Sequence, residues 1–214
     1  MISFLFIIVH LFSFTQFTLQ EGDLLFQDSD CGPFCDAIEK VTEGYQGANL
    51  SHVGMVISVN EELAVIEAIT KGVVITPLDT FLNRSFDQNG HSKVLVGRLK
   101  DGDKSLVEKA VNYARTLLGK SYDTVFDIQN DQYYCSELVY ESFKNANEGV
   151  PIFKLYPMTF KDPDTESTFA IWEDYYADIG SKIPEGEPGL NPGGISRSDR
   201  ITIVHVYGKP SGMQ

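Results

Sequence analysis

Apolar positions fall into three patterns along the chain. Between residues 21 and 98 they form short Val- and Ile-rich runs, the mark of strands. Glu21-Gly22-Asp23-Leu24-Leu25-Phe26-Gln27 predicts a short strand after a turn. Residues 52–59, 64–68 and 72–76 predict three more, separated by Asn60-Glu61-Glu62 and Thr70-Lys71-Gly72. That spacing is the spacing of an antiparallel meander. Residues 93–98 add another run, and residues 201–207 close the chain as a strand.

Two segments carry helical periodicity instead. Ser105-Leu106-Val107-Glu108 has the form of a capping box. It leads into apolar Ala110, Val111, Ala114, Leu117 and Leu118, with Gly119 as the stop. A second helix is expected from about Cys135 to Asn145, burying Leu138, Val139, Phe143 and Ala146. An earlier helix opens at Gly32-Pro33, with proline at the permitted first turn, and runs to about Val41. Residues 147–198 form the third pattern, rich in Pro, Gly, Asp and Glu. They predict a long ordered loop or lid with a little helix near residues 169–177. The sum over 21–214 is one α+β domain, a small antiparallel sheet packed against helices.

Residues 1–14 are apolar except for Ser3, His10 and Ser13, and polar Thr15, Gln16, Thr18 and Gln20 follow. A run of that length matches a signal-peptide core of about 7–15 residues better than a span of about 20. Residues 1–20 are therefore expected to be a signal peptide or an N-terminal anchor, and the protein to be exported to the periplasm, cell envelope or exterior.

The formal charge of −13 argues against polyanion partners, since phosphate contacts need clustered Lys and Arg. Neither nucleic acid nor strong attachment to lipid is expected, beyond the possible anchor. The histidines, His10, His52, His91 and His205, lack ligand spacing, so no metal and no cofactor is predicted. Cys31 and Cys35 lie four apart while Cys135 is alone. The close two either pair, with strain if both sit on a helix, or are simply small buried side chains.

Cys135 follows Asn130-Asp131-Gln132-Tyr133-Tyr134 and opens an apolar-periodic run, which puts it at a helix N-terminus. The partial positive charge there favours a thiolate, and the unpaired N–H groups suit an oxyanion. His52 heads a strand, where it can take a proton from a thiol and return it to a leaving amine. Glu67 interrupts the apolar run Val65-Ile66-Glu67-Ala68 one strand further on. If buried, that carboxylate needs a partner, and an imidazole on the neighbouring strand would serve; otherwise it faces solvent.

Five segments, Glu21 to Phe26, Ser51 to Val56, Val65 to Ala68, Gly119 to Asp123 and Tyr134 to Val139, occur in this order. Together they resemble the permuted papain-like amidases of the YiiX/YaeF group, within the NlpC-like cysteine hydrolases. The resemblance implies a circularly permuted papain-like fold in which the histidine precedes the cysteine. By position it makes Cys135 the nucleophile, His52 the base and Glu67 the orienting acid, with Tyr134, Tyr122 and Asp123 on the cleft wall. It implies hydrolysis of an amide or peptide bond through an acyl-enzyme, in small peptides, acyl amides or cell-wall (peptidoglycan) fragments.

Other readings stay open at this point. Cys31 with His91 has the unpermuted order but lacks a following acid. A lipid acyltransferase of the lecithin–retinol type resembles the same fold, though its third residue is usually histidine. A non-catalytic envelope binding module is the third. Trp172, Tyr175 and Tyr176 are expected in the core rather than the cleft. Were they to line the cleft, Glu173 and Asp174 would give it an acidic rim and a preference for free amines.

Overall fold

In the computed structural model, which describes residues 17–214, the chain is organised by one sheet of six strands. The strands are β1 (Leu24–Gln27), β2 (His52–Val59), β3 (Glu62–Ile69), β4 (Gly72–Pro77), β5 (Val94–Leu99) and β8 (Ile201–Val206). Their order is β4-β3-β2-β1-β5-β8, and every neighbouring pair is antiparallel. The meander 52–77 thus forms one half of the sheet. The last strand returns beside β5 to complete the other.

Both faces of this sheet are covered, which explains why its strands read as nearly continuous apolar runs rather than strict alternations. Leu24, Phe26, Val53, Met55, Ile57, Ile66 and Leu95 point to one face. There they pack against helices α3 (Val107–Thr116) and α4 (Cys135–Ala146), through Ala110, Ala114, Leu138, Val139 and Phe143. Leu25, Val56, Val65, Val94 and Val96 point to the other face, under Phe81 of the short helix α2 (Leu78–Leu82). Phe17 and Leu19 belong to this second layer, and the ring of Phe17 stacks 4.1 Å from that of His205. The packed chain therefore includes residues ahead of the expected boundary at 20, while the remainder of the proposed leader, residues 1–16, lies outside the described residues.

A third cluster joins α1 (Pro33–Val41) to α5 (Ala170–Asp178) through Ala37, Phe160, Trp172 and Tyr176. The segment 147–198 is thus ordered against the body of the domain. It contains α5, the two-stranded ladder β6 (Tyr156–Pro157) with β7 (Pro188–Gly189), and α6 (Pro192–Ser196), whose N-cap Asn191 accepts a bond from Gly194 N–H at 2.7 Å.

One local expectation needs correction, and one open alternative is decided. Ser105 does not cap α3: it lies in a 3-10 turn (Asp101–Leu106), Leu106 takes the cap position, and no side chain bonds there. Cys31 and Cys35 are joined in a disulfide with Cα atoms 5.4 Å apart. The strain expected of such a pair supposed both on one helix. Only Cys35 is on α1, because Gly32, at φ 74°, turns the chain before the helix begins.

Gly54 sits in β2 between His52 and Val56. A Cβ there would meet Val65 Cγ1 at 2.4 Å and Phe81 Cε2 at 3.2 Å. Substituting Gly54→Ala is expected to cost about 1–3 kcal/mol, the usual range for overpacking a core. A lowered urea midpoint with unchanged slope is the readout.

Candidate functional site

The site forms where the start of α4 meets the start of β2. Tyr134 is extended and Cys135 is the first helical residue, so the chain delivers the sulfur to the helix end with its first-turn N–H groups unpaired. Glu137, one turn on, accepts the N–H of Tyr134 at 3.2 Å. Burial pushes Glu137 up to about 9, so at neutral pH it is an uncharged acid. The positive end of the helix is therefore not cancelled by a carboxylate beside the thiol.

Cys135 is 7% exposed and lines a cavity. Burial alone raises a thiol, but hydrogen bonding to His52, the imidazolium charge, the Ser136 hydroxyl and the N–H of Val53 together outweigh it. The thiol ends below its ordinary range. His52 responds in the opposite sense. Burial disfavours its charged form, yet Cys135 and Glu67 overcome that and raise it to about 9. Nε2 of His52 lies 2.6 Å from Glu67 Oε2, which leaves Nδ1 as the ring nitrogen for sulfur.

Glu67 is fully buried and fully partnered. Besides His52, its oxygens accept from Thr76 Oγ1 at 2.5 Å and from both terminal nitrogens of Arg84, at 2.7 and 2.5 Å. Burial works to raise the carboxyl, but the bonds from His52, Arg84 and Thr76 hold it down at about 2. Phe81 floors the group, its ring 5.8 Å from that of His52 and 5.0 Å from the guanidinium carbon of Arg84.

Sequence reasoning missed Arg84 and Thr76. The signal was present in the requirement that a buried carboxylate be neutralised: Arg84 is a cation one short helix beyond β4, and Thr76 is a hydroxyl on the strand beside Glu67. Of the expected wall residues, Tyr122 and Tyr134 do line the cavity. Burial raises both phenols, so each remains a neutral O–H, and the Tyr134 oxygen accepts the N–H of Leu190 at 3.3 Å. Asp123 is not on the wall. It is fully buried behind it, accepting from Val125 N–H at 2.9 Å and Asp127 N–H at 2.6 Å, which ties its own loop.

The cavity measures about 140 Å³. Its near wall is Ile38 and Val41 of α1 with the C-cap Thr42, and its far wall is Tyr156, Met158, Phe160, Trp172 and Leu190 of the 147–198 segment. Trp172 serves as core and cavity lining at once, whereas Tyr175 and Tyr176 stand behind it, their hydroxyls bonded to Thr124 O and Val125 O. Glu173 and Asp174 are exposed and take no part in the lining, so the acidic rim does not form. The alternative cysteine is occupied: Cys31 is in the disulfide, and the His91 side chain is 64% exposed next to Asp87.

The family of permuted papain-like amidases, YaeF/YiiX, matches residues 18–205, and the chain belongs to it. Its sheet and helices are that fold, and in outline the family's class is that of a hydrolase. The chain is 28% identical over 187 residues to YiiX of Escherichia coli K12, described as uncharacterized, covering 86% of this chain and 85% of that one. The crystal structure of yiiX from Escherichia coli O157:H7 superposes with a TM-score of 0.69 at 28% identity, over 88% of this chain and 98% of the other. That protein is described as a metalloprotein. Among the described residues here, no group of three or more His, Cys, Asp or Glu is arranged to hold a metal ion.

Arg84→Gln removes the bidentate partner of a buried charge, a change that typically costs about 3–5 kcal/mol. The acid dependence carries the sign. With Glu67 held at about 2 against an ordinary 4.5, its contribution to stability is complete above 4.5 and is lost as pH falls toward 2. The variant holds Glu67 less far down. The gap in urea midpoint between wild type and Arg84→Gln is therefore expected to be wide at pH 7 and to narrow by pH 3.

Proposed function

We propose that the protein is a cysteine amidase in which Cys135 is the nucleophile, His52 the acid–base and Glu67 the group that orients and charges the imidazole. The observation that carries this reading is the 2.6 Å contact of His52 with a fully buried Glu67, beside a thiol lowered at a helix N-terminus.

The Cys135 thiolate attacks the carbonyl carbon of the amide and forms the S–C bond. The developing oxyanion is met by the N–H of Cys135 at the helix end, a dipole aimed where charge appears. His52 then gives its Nδ1 proton to the amine nitrogen as the C–N bond breaks, and the amine departs. Water attacks the thioester and passes a proton back to His52, and the acid leaves as Cys135 is regenerated. Tyr122 and Tyr134 contact the substrate through the cavity wall. The substrate is a small peptide or acyl amide. The apolar leader and the Cys31–Cys35 disulfide support work outside the cytoplasm, since such bonds persist in oxidising compartments.

A reactive ester is expected to leave an acyl group on Cys135, visible by intact-protein mass, and Cys135→Ala to abolish it. Persistence of the adduct in that variant sinks the reading. The rate should be flat through neutral pH and fall on an alkaline limb near 9, where the imidazolium is lost. Glu67→Gln should draw that limb toward neutrality and slow amide cleavage about 10²–10⁴-fold, the usual worth of a positioned acid–base group.

A further inference from the structure

The cavity beside Cys135 departs from what the sequence suggested in one respect. Among the described residues, none that lines it is Asp, Glu, Lys, Arg or His, and Cys135 is the one lining group the mechanism charges. Its apolar lining includes Ile38, Val41, Phe126, Met158, Trp172 and Leu190, beside seven hydroxyls and one amide. This holds in a protein with 30 acidic and 17 basic residues, where a cleft free of both is not expected from composition. A charged group entering such a space would lose its water and gain no counter-ion.

We infer that this cavity holds the acyl half of the substrate and selects a short, uncharged, apolar acyl group of about six heavy atoms. The inference rests on the Cys135 reading above and deepens it. Three observations carry it. The first is the uncharged lining. The second is size: the space measures about 140 Å³. An apolar cavity of about 150 Å³ accommodates one benzene ring. A hexanoyl tail or a Phe or Leu side chain fits, and a long lipid chain does not. The third is position, because Cys135 itself is part of the lining. The group that stays on its sulfur through both halves of the reaction is the one this partly open space can hold, whereas the amine must leave.

The far wall is what sets the length. Met158 lies against Gly189, where a Cβ would meet its Sδ at 2.4 Å, so the β6–β7 ladder presses the thioether into place. Phe160 and Trp172 stand edge to face, with centroids 5.0 Å apart, and close the space beside it. This wall comes wholly from residues 156–190. The selectivity is thus a property of that segment and not of the catalytic groups.

The test is acylation of Cys135 by p-nitrophenyl esters that share one leaving group and differ in the acyl chain. Acetyl, butanoyl, hexanoyl, dodecanoyl (below its micellar concentration) and succinyl are compared, read by nitrophenol release and adduct mass. The rate is expected to rise about fourfold for each CH2 from acetyl to hexanoyl, the worth of one buried methylene. It should fall at least tenfold from hexanoyl to dodecanoyl, and succinyl should be at least tenfold slower than butanoyl. Met158→Ala should move the optimum toward longer chains, and a single cooperative urea transition with the wild-type slope reports that the variant is folded. Leu190→Ala is the second enlargement and should act in the same direction. A rate that keeps climbing through dodecanoyl, a flat series, or succinyl matching butanoyl overturns the inference while leaving the cysteine mechanism standing. Absence of any acetyl adduct on Cys135 overturns the mechanism itself, and the inference with it.

Discussion

A negative charge wholly withdrawn from water at Glu67 is the constraint on which the site depends. Left alone it would take a proton or unfold the sheet around it. Three strands and a short helix converge to prevent that: β2 brings His52, β4 brings Thr76, and the turn after α2 brings Arg84. Arg84 alone would neutralise the carboxylate. With Arg84 in place, the pull that Glu67 exerts on His52 can raise the imidazole without the pair collapsing into a shared neutral proton. The same charge then reaches Cys135 through the ring, since a protonated His52 is what lowers the thiol. Charge placed on the floor of the sheet is thereby expressed as nucleophilicity at the end of a helix.

Glu137 illustrates the opposite use of a carboxyl. It sits at the third position of α4, where an ionised acid would ordinarily be welcome. Burial keeps it neutral instead, so it can accept the Tyr134 N–H without answering the helix's positive end. Two glutamates within one site are thus driven apart by their surroundings, one to about 2 and the other to about 9. The difference lies in Arg84 and His52 beside one, and in burial with Asp123, Glu141 and Asp127 nearby for the other.

Much of this was legible beforehand, for reasons that can be named. The strands 52–59 and 72–77 and the helix at 135 announce themselves through local periodicity, which survives into the fold unchanged. Glu67 stood out as a carboxylate in an apolar run, His52 at the head of a strand, and Cys135 at the start of a helical run. Arg84 did not, because it follows a polar Asn83 and its partner is a matter of tertiary contact. Asp123 misled for a related reason: a motif places the residue in the chain, but only the loop's own N–H groups decide that its carboxylate turns inward. Ser105 failed as a cap because the preceding 3-10 turn takes up the helix start, a local competition that residue types alone do not resolve. The 147–198 segment, poor in periodicity, reads as a loop or lid, but its sequence does not say that Met158, Phe160 and Leu190, rather than Tyr175 and Tyr176, would join Trp172 in the cavity.

The placement of the disulfide has a consequence for how the molecule matures. Cys31 and Cys35 emerge from the ribosome about a hundred residues ahead of Cys135. At a synthesis rate of about 5–20 residues per second, that interval is about 5–20 seconds. Being four positions apart, the two early thiols are each other's nearest reactants, and once joined they no longer compete for Cys135. In the permuted order Cys135 comes late in the chain, so its two possible cysteine partners already lie side by side when it emerges.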